Sequence, residues 1–125
     1  MSDWTAEELA RVGRADELRI SGRRADGSLR KSVIIWMVTL GDDLYVRSVN
    51  GPDASWFRGT QVAGLGHIWA GGVEKDVAFT RVDDVDDALD AAYSSKYPRW
   101  QSAVDAINSA AARSTTLRVD PITTG

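Results

Sequence analysis

Two short stretches of this sequence carry side chains suited to ligand binding. The first is a basic segment in which two arginines, a turn and two further cations follow one another, at Arg23, Arg24, Arg30 and Lys31. A hairpin would bring the two pairs close together, and guanidinium groups match phosphate or carboxylate oxygens bidentately. The segment predicts an anion site, with a solvated edge hairpin protected by its charges as the alternative interpretation.

The second stretch is a strand end, a glycine-containing loop and a helix start. Its candidate ligand-binding residues are Ser48, Asn50, Gly51, Trp56 and Arg58. A loop that leads into a helix offers free backbone N–H groups to an anion, and an aromatic side chain there can flank a planar ring system. The alternative is a loop whose tryptophan simply closes the end of a barrel.

The composition excludes several kinds of chemistry. The sequence has no Cys and a single His, His67, so disulfides, iron–sulfur clusters, cysteine-based zinc sites and multi-histidine metal sites are ruled out. Five acids lie between Asp83 and Asp90, where they are typical of a helix start rather than of a metal site. We therefore expect no catalytic side chain and no metal.

The charge and length of the chain limit the class of protein that it can be. The 125 residues suit one domain, 1–125, and the net charge of −3 argues against nucleic-acid binding. The longest apolar run, Val33–Val38, is too short to cross a membrane. The first ten residues lack the pattern of a signal peptide, and the absence of Cys suits a reducing compartment, so we expect a cytoplasmic protein.

Capping signals and hydrophobic periodicity predict the helices. Thr5 and Glu8 form a capping box for a short N-terminal helix, 3–13, which Gly13 is expected to end. A second helix is predicted over Ser55–Ala63, capped by Asp53 or Ser55. A helical pair over about 84–112 divides at Pro98 into 84–97 and 99–112. Trp4 and Trp100 are expected to anchor helices on the sheet.

Six strands are predicted between these helices, mostly joined by tight turns. Their expected ranges are 17–23, 29–40, 43–49, 67–71, 73–82 and 114–119. The strand over 29–40 does not alternate, so both of its faces are expected to be buried. Six twisted antiparallel strands in so short a chain curl into a small barrel, with helices covering an open edge. The fold class is therefore mainly β (α+β).

Three separated motifs resemble the deazaflavin-dependent nitroreductase-like proteins of the split β-barrel superfamily, which also includes pyridoxamine-phosphate-oxidase-like flavoproteins. They are Gly22-Arg-Arg24 with Arg30 and Val33–Trp36, then Gly41–Ser48, then Gly51-Pro52 with Trp56-Phe-Arg58. A bacterial family of small uncharacterised proteins of the same type is closer still. The similarity runs from about Glu17 to Pro121.

The resemblance implies a six-stranded antiparallel split β-barrel with flanking helices, often paired as a homodimer. It also implies FMN or the deazaflavin coenzyme F-420 in a groove, with Arg24 and Arg30 on the phosphate side. Ser48, Gly51 and Trp56 match positions beside the ring system. This sequence differs from those relatives in a longer turn after Arg24, in lacking Pro after Arg30, and in lacking Asn-Leu after Trp56.

Three functions remain open from the sequence. The first is an oxidoreductase whose bound coenzyme transfers a hydride to a small organic substrate, which suits a chain with no Cys and one His. The second is a non-catalytic module that binds or stores a flavin, haem or another planar ligand. The third is an interaction protein without a cofactor, which dimerises through Val33–Val38.

Overall fold

The computed structural model describes residues 4–122, and these residues form five α-helices and seven strands. The helices are α1 Ala6–Arg14, α2 Ser55–Ala63, α3 Asp86–Lys96, α4 Gln101–Ile107 and α5 Ala110–Arg113. The strands are β1 Leu18–Gly22, β2 Val33–Ile35, β3 Met37–Leu40, β4 Asp43–Val46, β5 Leu65–Ala70, β6 Val73–Arg81 and β7 Leu117–Pro121.

All seven strands belong to one antiparallel sheet, in the order β2-β1-β5-β6-β7-β4-β3. The two edge strands, β2 and β3, are consecutive in the chain and are separated by Trp36 alone. The sheet must therefore curl until its edges almost meet, which makes a nearly closed barrel. The predicted barrel class is confirmed, and the structure has seven strands where the sequence predicted six.

The difference in strand number arises at Trp36. The single strand predicted over 29–40 is two strands, because the chain leaves one edge of the sheet at Ile35 and joins the other at Met37. The expectation that both faces of this segment are buried is wrong at its first half. Ile34 is 55% exposed, whereas Met37 and Val38 are buried.

Tight turns join neighbouring strands where the sequence has glycine. Gly41 has a φ of +61° between β3 and β4, and Gly71 and Gly72 have positive φ values between β5 and β6. Glycine adopts this left-handed backbone without the steric cost that a Cβ brings. These turns fix the register of both hairpins, from Met37 opposite Val46 and from Leu65 opposite Ala78.

The capping box predicted for α1 is confirmed. The Glu8 N–H donates to the Thr5 hydroxyl, and the Thr5 N–H donates to a Glu8 carboxylate oxygen. Gly13 lies inside the helix rather than ending it, and the cap is Ala15. The predicted first residue of this helix, residue 3, lies outside the described residues.

Buried side chains form two clusters, one inside the barrel and one between the barrel and the helices that precede β7. Trp4 belongs to the first, and its indole N–H donates to the Val119 carbonyl at 2.8 Å. The expected anchoring role of Trp4 is thus confirmed, whereas Trp100 is 61% exposed. The second cluster joins the outer face of β3 and β4 to α3 and α4 through Val38, Tyr45, Leu89, Tyr93, Tyr97, Val104 and Ile107.

The segment predicted as two helices over 84–112 contains three. The second of the predicted helices is interrupted at Asn108 and Ser109, because Ser109 caps a new helix by accepting from the Ala112 N–H. Helix α2 has the predicted bounds, yet Ala54 precedes it and no side chain caps its first turn. Within residues 4–122, no helix is long and apolar enough to cross a membrane.

Candidate functional site

The start of α2 contributes to two neighbouring surface hollows. Ser55 lines a hollow of about 420 Å³, which we call the cationic hollow, together with Arg30, Arg58, Gly59 and Val62. The next residue, Trp56, lines a mainly apolar groove of about 220 Å³. We call it the aromatic groove; its other walls include Ile34, Ile35, Trp36, Val49 and Ile107. Consecutive residues of one helix thus connect a hollow lined by two arginines to an apolar groove.

The cationic hollow has two guanidinium groups whose charge is not compensated. Neither Arg30 nor Arg58 forms an ion pair with any residue in the range 4–122. No acidic side chain lines the hollow. Because the first turn of α2 is also without a side-chain cap, its positive end adds to the potential of the two arginines. Together these groups favour an anion such as a phosphate.

A glycine makes room for one of these arginines. A Cβ on Gly59 would lie 2.5 Å from Arg30 Nε and 2.7 Å from its Cδ, so the Arg30 side chain rests directly on the α2 backbone. The β1 strand approaches the same turn, since a Cβ on Gly22 would lie 2.9 Å from the Gly59 carbonyl carbon. The glycine at position 59 therefore sets where the Arg30 guanidinium lies.

The other predicted cations lie elsewhere on the hairpin between β1 and β2. Arg23 is engaged, because its guanidinium donates to Asp76 Oδ1 at 2.7 Å and to the Gly27 carbonyl at 2.7 Å. Arg24 donates to the Leu29 carbonyl at 3.0 Å, within its own turn, and Lys31 is exposed. None of these three cations lines the cationic hollow.

The small residues predicted beside the ring system are covered. Ser48 is fully buried; its N–H donates to the Thr115 hydroxyl at 2.8 Å, and its own hydroxyl oxygen has no hydrogen-bond partner within residues 4–122. Gly51 has a φ of +78° and packs against Ala111 of α5. Asn50 is exposed at the loop. Of the loop residues, Val49 contributes a wall to the aromatic groove.

Arg47, which also lines the aromatic groove, is a buried cation that was not among the predicted site residues. It is 1% exposed. It donates to Asp86 Oδ1 at 3.0 Å, to Asp90 Oδ1 at 2.6 Å and to the Thr116 hydroxyl at 3.0 Å. It also lies 5.6 Å from the centre of the Tyr93 ring. Its charge is therefore compensated from within the fold, and its role is to join the barrel to α3.

The sequence held one signal for this pairing. Asp86 and Asp90 are four residues apart, so they share a helix face with the buried Leu89. They were expected only to favour the helix start, whereas both also bind Arg47. No group of three or more metal-ligating side chains occurs among the described residues.

The single histidine is engaged between two acids on the neighbouring strand. His67 Nδ1 lies 2.7 Å from Asp76 Oδ1, and Nε2 lies 3.0 Å from Glu74 Oε2. The hydrogen bond with His67, followed by the one from Arg23, lowers the pKa of the Asp76 carboxyl below its ordinary value. His67 lines neither the cationic hollow nor the aromatic groove.

A family model described as "Uncharacterized protein conserved in bacteria (DUF2255)" matches residues 8–119. The chain belongs to this family. The predicted kinship with small uncharacterised bacterial proteins is thereby confirmed. No curated protein matches the chain.

Several solved structures share the fold of this DUF2255 protein. It is similar to HutZ, a heme storage protein from Vibrio cholerae, with a TM-score of 0.67 and 12% identity over 94% of this chain and 89% of that one. It is similar to an FAD-binding protein from Mesorhizobium loti, with a TM-score of 0.58 and 15% identity over 96% and 91%. An F420 reductase matches with a TM-score of 0.56 and 12% identity over 91% and 92%. At these identities the similarity shows the fold alone, which is the split barrel that the motifs predicted.

Proposed function

We propose that this DUF2255 protein binds FMN or coenzyme F-420 and uses it to exchange a hydride with a small organic substrate. One observation carries the proposal: consecutive residues of α2 line a hollow with two uncompensated arginines and an apolar groove with two tryptophans. A coenzyme of this class has two matching parts, a side chain that carries an anionic phosphate and a planar ring system. The names of the F420 reductase and the FAD-binding protein are in keeping with it.

The described residues fit such a coenzyme. Arg30, Arg58 and the first turn of α2 would hold a phosphate, because guanidinium forks and free helix N–H groups both bind its oxygens. Trp56, half-buried and edge-to-face with Phe57 at 6.1 Å, would contact the ring. The coenzyme supplies the hydride chemistry, and the protein binds, orients and screens it. The other predicted contacts with the coenzyme remain proposals; they are Arg23, Arg24, Lys31, Ser48, Asn50 and Gly51.

We also propose that two copies of the chain pair over the aromatic groove. Its volume of about 220 Å³ is below the roughly 300–1,000 Å³ typical of ligand cavities. Two of its walls, Ile34 and Val49, are 55% and 47% exposed. A second copy would cover this apolar surface and deepen the groove.

The cytoplasm remains the compartment that we propose for this activity.

A non-catalytic haem-binding module is the second candidate, since HutZ has the highest TM-score of the three structures described above. Haem iron commonly needs a histidine, and His67 is the single histidine of the sequence. Both of its ring nitrogens already face carboxylates. A haem protein would therefore have to break one of these contacts or use another ligand, which favours the coenzyme proposal.

Titration of the purified protein with FMN, coenzyme F-420 and haemin, followed by tryptophan fluorescence, tests the proposal. We expect saturable quenching by FMN or F-420 at micromolar concentration. Arg30→Ala should weaken that binding by about 1.5–3 kcal/mol, because a hydrogen bond to a charged group is lost. Arg14→Ala, which removes an equal charge from α1, serves as the control.

The outcomes separate the candidate functions. Quenching by haemin alone would favour the storage module, and quenching by none of the three would reject both ligand-binding functions. If FMN or F-420 binds, the electron donors NADH, NADPH or dithionite are then tested for reduction of the bound coenzyme and for its reoxidation by a nitroaromatic acceptor. A coenzyme that binds and never turns over would leave a non-catalytic flavin module.

A further inference from the structure

A second cleft lies beyond Trp36, on the side of the barrel where α3 ends. It measures about 630 Å³, and its lining includes Trp36, Lys96, Tyr97 and Trp100. Trp36 and Glu17 also line the aromatic groove, so these two residues separate the cleft from the groove. Arg30 and Arg58, which carry the proposed phosphate site, do not line this cleft.

The cleft contains an ammonium group without a counter-ion. Lys96 Nζ donates to the Met37 carbonyl at 2.9 Å, and no carboxylate within residues 4–122 lies close enough for an ion pair. Two other cations that are partly or fully buried do have one. Lys75 pairs with Glu8 at 2.6 Å, and the fully buried Arg47 pairs with Asp86 and Asp90. The ammonium also lies 3.5 Å from the Met37 sulfur and 5.3 Å from the centre of the Tyr97 ring, but neither group carries a negative charge. A half-buried ammonium without a counter-ion favours an anion supplied from outside.

Aromatic side chains form the walls around this ammonium. The Trp36 ring is stacked on Tyr97 with centroids 3.9 Å apart and planes 3° apart, so this wall is fixed. Trp100, at the rim, leaves 61% of its surface exposed. The Tyr97 hydroxyl lies 2.9 Å from the Asp16 carbonyl oxygen and 3.1 Å from the Met37 carbonyl oxygen, which share its single proton. A rigid aromatic wall and an exposed indole suit a planar apolar ligand.

The charges at the rim limit the charge of that ligand. Asp16 and Glu17 face the cleft from the segment between α1 and β1, and Arg99 faces it from the segment after α3. Two acids and two cations therefore line it, counting Lys96. The four formal charges sum to zero, so the cleft has no excess of positive charge for a dianionic phosphate, and a singly charged carboxylate matches the single ammonium.

From this geometry we propose that the cleft is a binding site for a small aromatic carboxylate, anchored by Lys96 and held against Trp36 and Trp100. The site does not depend on a bound coenzyme. Because Trp36 separates it from the aromatic groove, a ligand here would lie beside whatever occupies that groove.

The protonation of Lys96 gives the site a pH dependence. Burial lowers the pKa of Lys96 to about 8, and the charge of Asp16 acts in the opposite direction. Burial likewise raises the pKa of Tyr97 to about 12, so the phenol stays neutral while the amine titrates. The ammonium is therefore present below a pH of about 8 and is lost as the pH rises through that value. Affinity for a carboxylate should fall over the same range.

The test uses 2-naphthoate as probe, its neutral analogue 2-naphthamide, and two-dimensional ¹H–¹⁵N NMR of the full chain. We expect saturable shift changes at the Trp36 and Trp100 indole N–H signals, with naphthoate bound more tightly than naphthamide at pH 7. Lys96→Met should weaken the binding of naphthoate by about tenfold or more, because it removes a charge-assisted hydrogen bond. The affinity for naphthamide should not change. Tyr97 still donates to the Met37 carbonyl, so this variant should fold.

Two further variants complete the test. Trp100→Ala, at an exposed position, should lower the affinity for both probes, because it removes an aromatic wall of the cleft and leaves the charge of Lys96 in place. Lys75→Met, a cation paired with Glu8 elsewhere on the surface, should change neither. At pH 9.5 the preference of the native chain for naphthoate should disappear. The proposal is overturned if neither probe saturates at millimolar concentration, if the shifts map elsewhere, or if Lys96→Met keeps the native preference for naphthoate.

Discussion

At the residue scale, two glycines in close contact have different roles. Gly22 of β1 and Gly59 of α2 lie where the strand meets the helix, and a Cβ on either one would collide with the surroundings. The Cβ on Gly22 would meet the backbone of Gly59, which cannot move without shifting α2. The Cβ on Gly59 would meet the side chain of Arg30, which can rotate away. The first position therefore controls packing, and the second controls where a guanidinium lies.

Substitution of each glycine by alanine separates these roles. Gly22→Ala should destabilise the protein by about 1–3 kcal/mol, the usual cost of overpacking. Gly59→Ala should leave stability unchanged or raise it by up to about 1 kcal/mol, since alanine favours a helix. It should nevertheless weaken FMN or F-420 binding by displacing Arg30. Urea unfolding and the fluorescence titration measure the two effects, and a Gly59→Ala protein with native coenzyme affinity would contradict this account of Arg30.

At the element scale, α3 is attached to the barrel through polar as well as apolar contacts. Arg47, one residue beyond β4, is fully buried and binds two carboxylates of α3 and the Thr116 hydroxyl beside β7. Burying a guanidinium is costly, and here the cost is offset because its hydrogen bonds are made within the fold. The arrangement fixes how α3 lies on the sheet, and hence where Lys96 at its end meets β3.

Arg47→Met should therefore destabilise the protein far more than loss of a surface pair. We expect about 3–5 kcal/mol, because Asp86 loses its cation and Asp90 keeps only the contact with Arg113 at 3.6 Å. Arg118→Ala breaks the more exposed pair with Asp120 and should cost about 0–1 kcal/mol. Urea unfolding compares the two variants. Adding Asp86→Asn and Asp90→Asn to Arg47→Met should recover part of the loss, and equal losses for the two single variants would show that the buried network adds nothing.

Elements with local signals were predictable from the sequence, and those that depend on distant partners were not. Helix α2 was predicted to the residue because loop residues precede it and Gly64, with a φ of +69°, ends it. The division of the long strand at Trp36 has no local mark, since β-branched and aromatic residues run through it. It follows from the chain passing between two sheet edges.

The candidate site shows the same limit. Trp56, Arg30 and Arg58 were predicted because their residue types suit a ligand, and all three line one or other of the two hollows. Arg47 looked like an ordinary polar residue at a strand end, and its partners lie about forty positions away in the chain. Arg23 was expected to face an anion, but its partner Asp76 is on a strand that the hairpin reaches only in the folded chain.

At the scale of the whole molecule, two of the six exposed large apolar side chains among residues 4–122 lie together in the aromatic groove. Ile34 and Val49 are both about half exposed, and Trp36 and Trp56 are half-buried beside them. Apolar side chains that share one groove at a sheet edge are typical of a surface that another protein covers. A second copy is the partner that we propose, because the groove it would close is the one that the coenzyme ring needs.

The native chain should therefore have twice the 13.6 kDa mass of one copy in size-exclusion chromatography with light scattering at about 50 μM. Ile34→Glu and Val49→Glu should each give a monomer, because a charge would be buried without a partner. Ile122→Glu adds the same charge at an exposed apolar position outside the groove and should leave the dimer intact. The two monomeric variants should also bind FMN or F-420 more weakly than the native dimer does. A native monomer would reject the paired groove, and an Ile34→Glu variant that stays dimeric would require an interface on another face.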